Sequence, residues 1–200
     1  MESEIFEKIR SYAKENLSSE RYEHSVRVAE TAAFMCGLYG LDEGAGRLAG
    51  IAHDICKEIP RDEMESLAGE DGLPFDEFEK KKPSLLHGRA AAVKIRRDFG
   101  ITDSDVIEAV ANHTCGKPSL CDLGKILFVA DKIEPGRPQS TDEYRANLFR
   151  KSLDGITLSV VEENIEYLAK KGKKSAPSAL EWAEELRKSV ESRKSENEKK

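Results

Sequence analysis

The chain has 200 residues, 38% hydrophobic and 35% charged, with a net charge of −6. That length allows one real core, and the negative balance excludes a dedicated binder of long nucleic acid, which would be basic. No apolar run approaches the ~18 residues of a membrane span and the acidic start Met1–Lys8 does not look like a signal peptide, so the chain reads as cytoplasmic, with no membrane partner. A small phosphorylated ligand stays open, because a metal and a few cations can hold one locally. The cysteines Cys36, Cys56, Cys115 and Cys121 form no C-x-x-C pair and read as small core residues of a reducing compartment.

Apolar residues recur at helical period almost everywhere. Ile5, Phe6, Ile9, Tyr12 and Ala13 share one face of a first helix, and a second covers about 20–38 with Val28, Ala29, Ala32 and Ala33. Asp42 is the expected cap of a third helix, through Leu48, Ile51 and Ile55 to Pro60, in which Gly44, Gly46 and Gly50 lower the propensity but permit close approach. The segment 61–83, with two glycines, two prolines and the run Lys80–Lys82, reads as a short helix and then a loop. Helices are expected at 84–99, ended by Gly100, and at 103–114, capped by Thr102 or Asp103. Pro118 breaks the chain. The apolar Ile126–Ala130 could pass for a strand, but Leu123 and Ile133 on its flanks favour a buried helix over 121–133. Further helices follow at 142–153, at 155–171 closed by Gly172, and from Pro177 through Leu180, Trp182, Ala183 and Leu186. Residues 1–186 read as one helical domain and 187–200 as a charged, frayed or disordered tail.

The only four histidines, His24, His53, His87 and His113, fall on or beside four different expected helices. His53 is followed at once by Asp54, a mixed nitrogen and oxygen pair that suits iron, manganese or zinc better than calcium. Asp131 sits in the most apolar helix of the chain, where a carboxylate needs a partner, either a metal or a lysine such as Lys132 or Lys125.

The order His24, His53-Asp54, His87, His113, Asp131 resembles that of the HD-domain metallophosphohydrolases. The strings Arg21–Ser25, Ala52–Pro60, Leu86–Gly88, Asn112–Lys117 and Ala130–Arg137 look like its YqeK branch, the symmetrical bis(5′-nucleosyl)-tetraphosphatases, over roughly 1–175. The resemblance implies an all-α HD-domain helical bundle with a metal site in its core. It also implies one or two iron ions, with manganese or another divalent metal as the alternative, and a dinucleoside polyphosphate such as diadenosine tetraphosphate split to two ADP. By motif position, His24, His53, Asp54 and Asp131 would hold the metal. His87 and His113 would face the phosphates or a second metal, and Lys57 and Arg137 would contact phosphate.

Elementary chemistry agrees with those roles. Phosphoanhydride hydrolysis needs an activated water and neutralised phosphate charge. Asp54 shared between two metals would serve the first need, and His87 or His113 could protonate the leaving ADP or bind its phosphate. Arg137 offers a planar fork, and Lys57, four residues past His53, would share its helix face or else be a solvated helix-end lysine. The chain departs from the family pattern near its end: Ala179 stands where a threonine is usual, Trp182 adds an aromatic that reads as core rather than a base platform, and Lys117 replaces an arginine. Two other functions stay in view, a broader HD nucleotidase or pyrophosphohydrolase acting on mononucleotides and a nucleotide-binding module without turnover. A homodimer is conceivable through exposed helices such as 155–171.

Overall fold

Helical periodicity becomes helices α1 (Glu2–Asn16), α2 (Ser19–Tyr39), α3 (Glu43–Ala52), α4 (Arg61–Gly69), α5 (Glu77–Lys81), α6 (His87–Phe99), α7 (Ser104–Asn112), α8 (Asp122–Ile133), α9 (Asp142–Leu148), α10 (Leu153–Lys170) and α11 (Pro177–Asn197), with a 3₁₀ turn at Pro83–Leu86. The computed structural model describes residues 2–197, and among these there is no β-strand. No described helix is long and apolar enough to cross a membrane.

Side-chain oxygens start several helices as the sequence suggests. Asp42 accepts from the Ala45 amide, and Asp103, not Thr102, accepts from the amides of Asp105 and Val106. Gly100 closes α6 in the left-handed conformation.

The ambiguous apolar stretch is helical and central. Leu123, Ile126, Leu127, Phe128, Val129, Ala130 and Ile133 of α8 are all buried, so the helix is apolar around most of its circumference. Helices α2, α3, α7 and α10 pack around it, α11 lies along α10, α1 lies on α3 and α6, and α4 lies on α6. Trp182 of α11 is core, fully buried with its ring edge-on to Phe128 at 5.0 Å. Ala179 is buried beside it. Cys36 and Cys56 are buried free thiols.

The closest packing is between α2 and α3. A Cβ on Gly50 would lie 2.4 Å from the Cα of Ala29, so only glycine lets the two backbones meet at that depth. The small residues of α3 that argue against a helix by propensity are what sets it against α2, and this contact places His24 and His53 side by side.

The structure corrects three expectations. The third helix stops at Ala52, not Pro60, because the hydrogen bonding tightens: the Ile55 amide reaches Ala52 O at 3.3 Å and the Lys57 amide reaches Asp54 O at 2.9 Å. The loop after α4 holds a second short helix, α5, started by a reciprocal capping box between Asp76 and Glu79. The helix expected over 84–99 begins as a 3₁₀ turn at Pro83 and becomes α-helical only at His87. The charged segment from Arg187, expected as a tail, is described as far as Asn197. There α11 continues, with Arg187 on Glu162 (2.7 Å), Ser189 donating to Asp154 (2.7 Å) and Arg193 on Asp154 (3.1 Å). Residues 198–200 of that expectation lie outside the described residues.

Candidate metal centre and phosphate pocket

His53, His87 and His113 are held by one device used three times. Each Nδ1 donates to the carbonyl three residues back: His53 to Gly50 at 2.7 Å, His87 to Ser84 at 2.7 Å and His113 to Val110 at 2.8 Å. His53 and His113 stand just past the ends of α3 and α7, where last-turn carbonyls lack helical partners, and their rings satisfy them. A carbonyl can only accept, so each Nδ1 carries its proton and each Nε2 presents a lone pair. Gly88 lets His87 sit against α7, since a Cβ there would lie 3.0 Å from the carbonyls of Val110 and Ala111.

His24 is oriented by another route, with a carboxylate at each ring nitrogen, and these carboxylates raise its pKa against burial. Its Nδ1 lies 3.1 Å from Glu134 Oε1, and Glu134, buried in the wall, is held down at about 2. Burial alone would raise that carboxyl, but His24, Arg27 (2.5 Å) and the Gly136 amide outweigh it. Glu134 therefore accepts, His24 Nδ1 donates, and His24 Nε2 turns to Asp131 Oδ1 at 3.1 Å.

Four imidazole Nε2 atoms and two carboxylates thus converge. His53 Nε2 lies 3.7 Å from Asp54 Oδ2 and 3.9 Å from Asp131 Oδ1, and it is buried with no hydrogen-bond partner. His87 Nε2 lies 3.0 Å from His113 Nε2 and 3.0 Å from Asp54 Oδ1. Two Nε2 atoms this close, with the carboxylate beside them, suit joint ligation of a cation. Burial lowers the pKa of His53 and takes that of His113 down to about 3. Burial would raise the two carboxyls, yet both lie well below the usual range, Asp54 through its histidines and Asp131 through Lys132, His24, His53 and Arg137.

Among the described residues, two groups meet the geometry for holding an ion: His24, His53 and Asp131, and His53, Asp54 and His113. The orphaned Nε2 of His53 belongs to both, and a nitrogen–carboxylate donor set fits a divalent transition metal. Asp54 aims Oδ2 toward His53 and Oδ1 toward His87 and His113, so one carboxylate faces both halves of the centre.

Above these groups opens a cavity of about 590 Å³ lined by five cationic side chains, Arg21, Arg27, Lys57, Lys132 and Arg137. Five carboxylates, Glu20, Asp54, Glu58, Asp131 and Glu134, line it too, so positive charge would prevail there, and favour an anion, once a divalent metal took up Asp54 and Asp131. Lys57 lies there for a reason other than a shared helix face. Helix α3 has already ended, and the tight turn after it carries Lys57 Nζ to 3.1 Å from His87 Nε2. Arg137 sits on Asp131, with Nη2 2.7 Å from Oδ1 and Nε donating to the backbone carbonyl at 2.9 Å.

Every site residue expected from the sequence therefore lines one centre, while Lys117 pairs with Glu108 (2.5 Å) and the run Lys80–Lys82 lies outside the cavity. Sequence reasoning missed Glu134, Arg21, Arg27 and Thr114. Arg21 Nη1 reaches Asp54 Oδ2 at 3.3 Å, and the Thr114 hydroxyl lies 3.3 Å from His113 Nε2. The spacing Arg21, His24, Arg27, three residues apart on one helix, was the available signal.

Glu134→Gln keeps the shape of the His24 partner but loses its charge. It is expected to weaken metal affinity about 10- to 100-fold, read by competition with a chromogenic chelator, with little change in helix content. Unchanged affinity would show that His24 needs no carboxylate behind it.

The HD-domain model matches residues 21–136, a stretch that holds all four histidines, Asp54 and Asp131. The chain belongs to the HD-domain family. Among curated HD-domain relatives, it is 35% identical to the symmetrical bis(5′-nucleosyl)-tetraphosphatase of Halalkalibacterium halodurans, over 84% of this chain and 89% of that protein. It is 34% identical to the protein of that name in Staphylococcus aureus, over 82% and 86%. A crystal structure from Clostridium acetobutylicum, described as a predicted HD superfamily hydrolase involved in NAD metabolism, superposes with a TM-score of 0.83 at 30% identity, covering 90% of this chain and 96% of that one.

Proposed function

We propose that this HD-domain protein is a metal-dependent hydrolase of nucleotide phosphoanhydrides that splits diadenosine tetraphosphate symmetrically into two ADP, with iron as its metal. The observation that carries this reading is Asp54, one buried carboxylate facing two histidine groups at the floor of a pocket that also holds Arg21, Lys57 and Arg137. The relatives in Halalkalibacterium and Staphylococcus, which match most of the chain and carry that activity in their names, support the choice of substrate.

In this reading His24, His53, Asp54 and Asp131 hold one ion, and Asp54 with His87 and His113 holds a second. A metal held by these residues would supply Lewis acidity and lower the pKa of a bound water. The protein's own groups do the rest. Their Nδ1 bonds to backbone keep His53, His87 and His113 as acceptors at Nε2, which favours the ligand role of His87 and His113 over that of proton donor. Arg21, Lys57 and Lys132 neutralise the bridging phosphates, and Arg137 clamps a phosphate oxygen with its planar fork. The Thr114 hydroxyl, beside both His87 and His113, donates to an oxygen next to the broken bond.

Arg137→Ala is expected to raise KM for diadenosine tetraphosphate about tenfold, the effect of losing a hydrogen bond to a charged group, while iron content stays unchanged. Unchanged kinetics would remove Arg137 from the phosphates, and lost iron would move it to the metal site. The reading as a whole is tested by stripping the metal with a chelator, restoring Fe²⁺ or Mn²⁺ under reducing conditions, and comparing kcat/KM for diadenosine tetraphosphate with that for ATP, GTP and dNTPs. A preference for the dinucleotide is expected, and a preference for mononucleotides would replace the reading by the broader nucleotidase.

A further inference from the structure

A second groove continues the metal pocket along α2. The residues His24, Arg27, Thr31 and Phe34 follow one another up a single face of that helix. Arg27 lines both the metal pocket and a neighbouring cavity of about 380 Å³, whose other walls include Thr31, Phe34, Phe149 and Pro135. Pro135 lies between Glu134 and Gly136, which line the metal pocket, so the two cavities adjoin at two places.

The chemistry changes along this path. The metal pocket is rich in charge, whereas the groove is aromatic and apolar with a few polar groups at its edge. Phe34 is 55% exposed, and its ring meets Phe149 edge-on at 5.1 Å. The Thr31 hydroxyl, which donates to the Arg27 carbonyl at 2.8 Å and so is left as an acceptor, and the Glu30 carboxylate, held by Arg47 at 3.1 Å, offer acceptors beside the ring. An exposed aromatic face flanked by polar groups is how proteins stack and hydrogen-bond a nucleobase. The ten residue steps from His24 to Phe34 cover about 15 Å of helix, the reach of an extended nucleoside diphosphate.

We propose that this groove, with Phe34 as its stacking platform, binds the nucleobase of one half of the substrate. The inference rests on the reading of the metal pocket as a polyphosphate site and adds where one nucleoside goes. Arg27 then stands at the junction, where the phosphate nearest that nucleoside passes from one cavity to the other. Because Phe34 is largely exposed, truncating it leaves the core untouched.

The test is calorimetric binding of ADP and of pyrophosphate to the metal-loaded protein, comparing the parent chain with Phe34→Ala and Phe34→Tyr. Phe34→Ala is expected to weaken ADP about tenfold more than pyrophosphate, and Phe34→Tyr is expected to restore ADP binding. Equal losses for the two ligands, or no loss for ADP, would overturn the proposal. So would sedimentation showing a dimer that Phe34→Ala dissociates, since the groove would then belong to a second copy of the chain. ADP binding that depends on Phe34 in a protein that does not cleave diadenosine tetraphosphate would uphold the groove and reject the function proposed above.

Discussion

Asp54→Asn is expected to abolish turnover, by about 10³-fold or more, and to lower metal content at both halves of the centre together. Asparagine keeps the volume but loses the charge, and it replaces one acceptor oxygen by an amide donor. Either orientation fails. An amide nitrogen toward His87 and His113 puts a donor where Asp54 Oδ1 lies at 3.0 and 3.6 Å from their Nε2 atoms. Turned the other way, it faces His53 and Arg21, now 3.7 and 3.3 Å from Oδ2. The far-ultraviolet circular dichroism should stay helical, because the core of α2, α3, α7 and α8 does not depend on that carboxylate. Elemental analysis of the purified variant is the check, and full metal occupancy with normal turnover would remove Asp54 from the centre.

Gly50→Ala should have the second large effect, acting on the site through the fold. The new methyl would lie 2.4 Å from Ala29 Cα and 2.7 Å from Ala29 N, against backbone that cannot rotate away. Forcing α2 and α3 apart is expected to cost about 3 kcal/mol and to lower Tm by about 10 °C. It would also separate His24 from His53, whose ring centroids lie 5.3 Å apart, so metal affinity should fall with stability. Gly69→Ala is the contrast. Its Cβ would meet nothing closer than Phe75 Cζ at 3.9 Å, and the gain in helix propensity should leave Tm level or slightly raised. A Gly50→Ala protein that melts with the parent would show that the α2–α3 approach does not hold the site.

The difference between these two glycines shows what the sequence could and could not disclose. The metal residues were legible because imidazole and carboxylate side chains are scarce in apolar helices, and their order along the chain is distinctive. The helices were legible wherever periodicity ran into a capping residue, as at Asp42 and Asp103. What escaped depends on partners far along the chain. Glu134 looks like any glutamate after a helix until His24 and Arg27, 110 and 107 positions away, fold against it. The end of α3 escaped for a related reason. Ile55 and Cys56 stay buried through the turn, so the apolar pattern runs on past the last helical hydrogen bond while the ring of His53 closes the helix. The segment past Arg187 reads as a charged tail because Asp154, the partner of Ser189 and Arg193, lies on a different helix. The cavity along α2 was invisible as well, since Phe34 and Phe149 meet only across the folded chain.

The central claim, symmetrical cleavage at a metal centre built around Asp54, is tested most directly by following products. Iron-loaded protein would be incubated with diadenosine tetraphosphate under reducing conditions, and the mixture resolved by anion-exchange chromatography. ADP as the sole nucleotide product, absent after chelation, is the predicted result; ATP with AMP, or turnover that survives removal of the metal, would contradict it.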